Sequence, residues 1–171
     1  MPLNSRFPQP PELPPGCERF LGSVDFMNDH EARDARLLSG LRVIDGQVTF
    51  FRNYSLESLD GLDRLEEVGQ LTIRDTALPS LAALGQLRRV DGVFGIASNR
   101  NLQGFRGLER LESVGSLSIL GNPEATSLDG LSGLQEVRGN ARLWDLPRAE
   151  IDAFVARVRI DGEVDVIYSD E

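Results

Sequence analysis

Apolar residues recur along this chain at two spacings that alternate. In residues 107–122, GLERLESVGSLSILGN, Leu108, Leu111 and Val114 come at every third position. A glycine follows, and then Leu117 and Ile119 come at every second. A step of two belongs to a strand with one face turned inward. A step of three suits an extended or tightly turned path of polyproline or 3₁₀ type, because the apolar face of an α-helix drifts off so strict a step.

The strand pattern, glycine-x-apolar-x-apolar, occurs seven times. It starts at Gly22, Gly46, Gly69, Gly92, Gly115, Gly139 and Gly162, with spacings of 24, 23, 23, 23, 24 and 23 residues. The third-position ladder precedes it each time in the middle of the chain: Leu56, Leu59, Leu62, Leu65 and Val68 in one copy, Ala125, Leu128, Leu131, Leu134 and Val137 in another. A degraded first copy runs Ala32, Ala35, Leu38, Leu41, Ile44. A period near 23 predicts a mainly β, parallel solenoid of about seven repeats, each burying its apolar side against its neighbours. The glycine, often in Asp-Gly, is expected to turn the corner between ladder and strand. Asn53, Asn99 and Asn122, with Thr76 standing in once, fall three residues past the strand. Stacked there, their side chains can answer backbone groups that the next corner would strand.

The ends read as caps. From Pro147, PRAEIDAFVARVR places Ile151, Phe154, Val155 and Val158 on one face of a helix over about 147–159. A second short helix is expected over 29–38. Residues 1–19 read as a flexible proline-rich arm, and 20–171 as a single domain. Acidic residues on the outward side of the terminal strands, Asp25 at one end and Glu163 and Asp165 at the other, oppose edge-to-edge stacking.

The unit L-x-x-L-x-x-L-x-x-V-x-G-x-L-x-I-x-x-N resembles the receptor L domain over roughly residues 20–168. The resemblance implies a right-handed parallel β-helix and a role in binding a protein ligand through a variable surface. It transfers no binding residue position by position. The same residues also satisfy a leucine-rich-repeat frame, with Val114, Leu117, Ile119 and Asn122 at L-x-x-L-x-L-x-x-N. A leucine-rich-repeat horseshoe is therefore the alternative architecture. Family members outside the cell usually carry disulfides and a leader; here Cys17 is the only cysteine, and MPLNSRFPQPPELPPG lacks the apolar core of a secretory signal. With Met1 as the native start the expected compartment is the cytoplasm; with a leader removed, it is the cell envelope or beyond.

Composition narrows the function further. All 18 basic residues are arginine, a bias of high-G+C bacterial genomes, and the formal net charge is −9. That sign speaks against nucleic-acid binding, which rests on neutralising phosphates. No apolar run is long enough to span a bilayer. His30, the single histidine, sits in the polar stretch MNDHEARD and reads as a surface residue. Neither it nor Cys17 has companions for a metal site or a nucleophile, and no P-loop is present. The chain is accordingly expected to be non-catalytic, without cofactor or metal. A polysaccharide-cleaving β-helix is the one enzyme precedent for the architecture. It needs acidic residues on neighbouring repeats, and the outward column Asp25, Thr49, Thr72, Gly95, Ser118, Arg142, Asp165 offers none side by side.

The next outward column is different: Met27, Phe51, Arg74, Ala97, Leu120, Trp144, Ile167. By alternation these side chains face out, yet five are large and apolar. Phe51, Arg74, Leu120, Arg142 and Trp144 are the candidate binding residues for a protein partner, the module itself being a monomer. The alternatives are a column tucked under a loop as a second small core, and a passive spacer or assembly module.

Overall fold

The computed structural model describes residues 3–4, 13–29 and 31–169. His30 and most of the proline-rich arm lie outside them. Within the described residues the chain is mainly β, and its eleven strands form one sheet in which every pairing is parallel.

In chain order the strands begin with β1 (Leu3–Asn4), β2 (Arg19–Phe20) and β3 (Val24–Met27). Four long or medium strands follow: β4 (Val43–Phe51), β5 (Glu67–Arg74), β6 (Arg89–Ala97) and β7 (Ser113–Leu120). Then come β8 (Glu136–Val137), β9 (Ala141–Leu146), the single helix α1 (Arg148–Arg157), β10 (Arg159–Ile160) and β11 (Val164–Tyr168). Successive repeats lie side by side, so Val24, Val48, Leu71, Phe94, Leu117, Ala141 and Val164 form one column. Parallel pairing in sequence order follows from the spacing: one period brings each strand back in the same direction beside its predecessor.

The ladder residues are the inner wall opposite the strands. From Leu38 to Val137 every one is buried, along with the inward strand residues from Val24 to Leu143. Short 3₁₀ turns at Arg36–Leu38, Ala82–Leu84 and Asp129–Leu131 supply the three-residue step. Phe26 stacks on Phe50 with ring centres 4.6 Å apart, which closes the core at the N-terminal end.

The strand-start glycine lies in a bend between two short strands at Gly22, Gly139 and Gly162, whereas Gly46, Gly69, Gly92 and Gly115 lie inside β4 to β7. The four long strands continue through the glycine, with a register irregularity beside it, as between Val90 and Val93. At Gly115 an added Cβ would collide with the Asp91 carbonyl and come within 2.6 Å of the Gly92 carbonyl in the repeat below. Glycine is needed there for close stacking of backbone on backbone. The sharp turn comes after the strand, where Asn28, Arg52, Asp75, Ser98, Gly121 and Asp145 form a left-handed column with φ of 53° to 61°. Only one of the six is glycine; Asn28, Asp75 and Asp145 are of the types that tolerate this region, and Arg52 and Ser98 carry a cost of roughly 1–2 kcal/mol each.

The buried polar residues offset part of that cost. Asn99 Nδ2 donates to the Ile73 carbonyl at 3.0 Å and to Asn122 Oδ1 at 3.2 Å. Asn99 Oδ1 accepts from the Thr76 N–H at 3.1 Å and the Thr76 hydroxyl at 2.7 Å. Asn122 repeats the pattern, accepting from the Asn99 N–H at 3.1 Å and donating to the Ile96 carbonyl at 3.0 Å. These residues form a structural seam.

The two ends depart from expectation. Residues 31–35 are irregular and only Arg36–Leu38 turn, so no helix forms over 29–38; the segment is held instead by bonds to the next repeat, such as Ala35 N–H to the Asp60 carbonyl at 2.9 Å. The C-terminal helix forms, and Ile151, Phe154 and Val158 are buried, but Val155 is 38% exposed. A helix lying across the end of a stack buries a narrower stripe than one packed between layers. For the same reason Val164, in a column buried everywhere else, is 40% exposed.

Candidate functional site

The bulge at the glycine divides the outward surface of the sheet into two walls. One covers the short leading part of each strand, the other the longer part after the glycine.

On the leading wall, charges answer one another between repeats. Arg42 bonds Glu66 at 2.6 Å, Glu67 bonds Arg89 at 2.6 Å and Arg88 bonds Glu112 at 3.2 Å. Arg138 and Arg89 both reach Asp91, and Arg159 reaches Glu136 and Asp161. Arg19 holds Asp45 through two bonds, and this hydrogen bonding pulls the Asp45 carboxyl below its ordinary value. The guanidiniums of Arg19, Arg42 and Arg159 are raised above theirs, chiefly by hydrogen bonds to Asp45, Glu66 and Asp161 respectively. The signal was present in the chain as Arg42, Glu66, Arg88 and Glu112, equivalent positions of alternating sign.

On the trailing wall the register sets Met27, Phe51, Arg74, Ala97 and Leu120 side by side, and Trp144 beside Ile167. Phe51, Leu120 and Trp144 are half-buried, while Arg74 and Arg142 are exposed. None of the five candidate residues has entered the core. Phe51 lies between two guanidiniums, with Arg52 at 4.9 Å from the ring centre and Arg74 at 5.6 Å. Arg142 lies 5.5 Å from the Trp144 ring centre and also pairs with Asp165 at 3.1 Å. The indole N–H of Trp144 is buried and meets no acceptor among the described residues. Such an unmade bond costs about 1–3 kcal/mol.

The five residues form two groups: Phe51 with Arg74 toward one end, and Trp144 with Arg142 toward the other. Leu120 ends β7, which pairs with β9, and lies on the Trp144 side. At about 4.8 Å per strand, the four strand steps from Phe51 to Trp144 span roughly 19 Å. Arg52 was not foreseen, since alternation alone assigns it no face; its left-handed φ of 56° returns it over Phe51.

The acidic ends of the middle column are occupied. Asp25 accepts from Gln47 Nε2 at 3.1 Å, and Asp165 is taken by Arg142. Over the ladder turns lies a groove of about 590 Å³ between Pro79 and Gly130. Its polar rim is largely used up: Ser80 and Ser127 hydroxyls accept from the Ala82 and Asp129 N–H groups, and Glu109 accepts from Gly107. Among the described residues no cluster of three or more His, Cys, Asp or Glu could hold a metal, and no helix is long and apolar enough to cross a membrane.

Comparison with family models, with curated proteins and with solved structures finds no match.

Proposed function

We propose that this chain is a non-catalytic recognition module that binds a protein partner through the trailing wall of its sheet. The observation that carries the reading is the pair of half-buried aromatic rings, Phe51 and Trp144, each under an arginine on a rigid parallel scaffold. Aromatic residues and arginine concentrate binding energy at interfaces, where the ring is desolvated and the guanidinium finds an acceptor. The leading wall offers nothing comparable, because its charges are already paired.

The architecture that best accounts for the parallel register is a right-handed β-solenoid of receptor L-domain type. Right-handed crossovers are the rule between parallel strands. Extended ladders broken only by 3₁₀ segments and short turns, together with a register irregularity at the glycine of each long strand pair, favour that type over a leucine-rich-repeat horseshoe. A bacterial member of that family acting as a protein binder is the reading that follows.

The test is affinity capture from the native source with wild type, Trp144→Phe and the double variant Phe51→Ala/Trp144→Ala. The expected result is a protein retained by wild type and lost by the double variant, which still unfolds cooperatively. Trp144→Phe shrinks the half-buried bicyclic ring to a single one, so it should bind less well than wild type and better than the double variant, with cooperative unfolding kept. A double variant that no longer folds makes the column a second core and overturns the proposal, as does one that retains every captured protein.

A further inference from the structure

The last strand carries an inference beyond that reading. β11 pairs with β9 on one side, and among the described residues no strand lies on its other edge. The Ala141 N–H donates to the Glu163 carbonyl and the Ser169 N–H to the Leu146 carbonyl. In a parallel ladder alternate residues turn both backbone groups to the same side. The residues flanking β11 thus face β9, and Val164 and Val166 present their N–H and C=O groups to the open edge. Apolar surface gathers there as well. Val155, Val164 and Ile167 are exposed, with Ile160, Val166 and Tyr168 partly buried against the end of the core. A short β-branched edge of this kind is a template for strand addition.

We propose that the occupant of this edge is a second copy of the chain, paired antiparallel through β11 about a two-fold axis at Val166. That register sets Val166 opposite Val166 of the other copy as a mutually hydrogen-bonded pair, and Val164 opposite Tyr168. Asp165 falls opposite Ile167, and Glu163 opposite Ser169, so no carboxylate meets its like. A two-fold axis at Asp165 would set that carboxylate against its copy. Head-to-tail stacking of β11 on β3 is disfavoured twice. It would extend the outward column from Asp165 directly to Asp25, and Leu3–Asn4 already pairs with Val24–Asp25. The two-fold arrangement closes after two copies and joins both sheets into one. The trailing walls then run on continuously, and the Trp144 groups of the two copies lie three strand steps, about 14 Å, apart across the axis.

Sedimentation velocity of the full chain from about 1 to 200 µM tests the pairing, a range in which micromolar association is resolved. The expected result is a concentration-dependent monomer–dimer equilibrium. Val166→Pro, which removes an edge donor that β9 does not use, should shift it to monomer. Should that variant fail to fold, Val164→Lys, at a position already exposed, should do the same with an unchanged melting transition. For the register, Val166→Cys in a Cys17→Ser background should form a disulfide-linked dimer on mild oxidation, since paired Cα atoms about 5.5 Å apart lie within disulfide reach. A monomer throughout the range overturns the proposal, as do open-ended polymers or a dimer that survives both edge variants. Partner capture by the trailing wall is scored separately, so either result stands without the other.

Discussion

The two walls of the sheet share one backbone and one period, yet they settle their exposed positions in different ways. On the leading wall, arginine and carboxylate alternate from repeat to repeat and neutralise each other, as between Arg42 and Glu66 at 2.6 Å or Arg159 and Glu136 at 3.3 Å. On the trailing wall, aromatic rings are half-covered by guanidiniums, and one indole donor is left without an acceptor. A surface complete in itself gains little by meeting a partner, because its pairs would have to be desolvated. A surface with half-covered rings in reserve has something to gain. The contrast locates the binding face by what each wall leaves undone.

The largest expected effect comes from removing the line that divides the walls. Gly115→Val drives a side chain into the Asp91 and Gly92 carbonyls and should cost about 4 kcal/mol or more. Urea unfolding measures it, and a loss under about 1 kcal/mol would mean the repeats can part without harm. Next comes the seam. Asn99→Ala strands the Thr76 N–H and the Ile73 carbonyl, at a cost of about 2–3 kcal/mol on the same measurement. Both substitutions should weaken the two walls together, since each acts on the shared core.

Surface changes should separate the walls. Glu112→Gln, which breaks an exposed pair with Arg88, should change stability by about 0–1 kcal/mol and leave partner binding untouched. Trp144→Phe should do the reverse. The smallest effect is a pH dependence. The Asp45 carboxyl is held low by Arg19 in the folded chain, so its contribution is complete above the ordinary carboxylate range. It is lost as pH falls through the depressed folded value. Denaturant midpoints of wild type and Asp45→Asn, compared between pH 2 and 5 (about the carboxylate range), should converge at the acid end. Curves that stay parallel would show that the Arg19–Asp45 bond does not form in solution.

Much of this was legible in the chain because period and burial are coupled. A column that recurs every 23 or 24 residues must stack, and Val48, Leu71, Phe94 and Leu117 do. The asparagine corner was legible for the same reason. The role of glycine was legible only in part, because a bulge, as at Gly115, and a bend, as at Gly139, ask for the same residue. The exposure of Val155 and Val164 was hidden too, since a pattern states which way a side chain points but not whether anything lies beyond it. Arg52 over Phe51 depended on a left-handed backbone that most residues avoid, and alternation has no means of signalling it.

The near-constant step between repeats has a consequence for how such a chain can change over generations. Excising residues 92–114 would join Asp91 to Gly115 and leave an Asp-Gly junction like the one removed. Every column would close up by one place, with Leu71 brought beside Leu117 and Thr76 beside Asn122, whose amide can take the part of Asn99. Unequal recombination within the gene could therefore shorten or lengthen the protein in whole units. The reach of its binding face would be a heritable quantity, adjustable without a new fold.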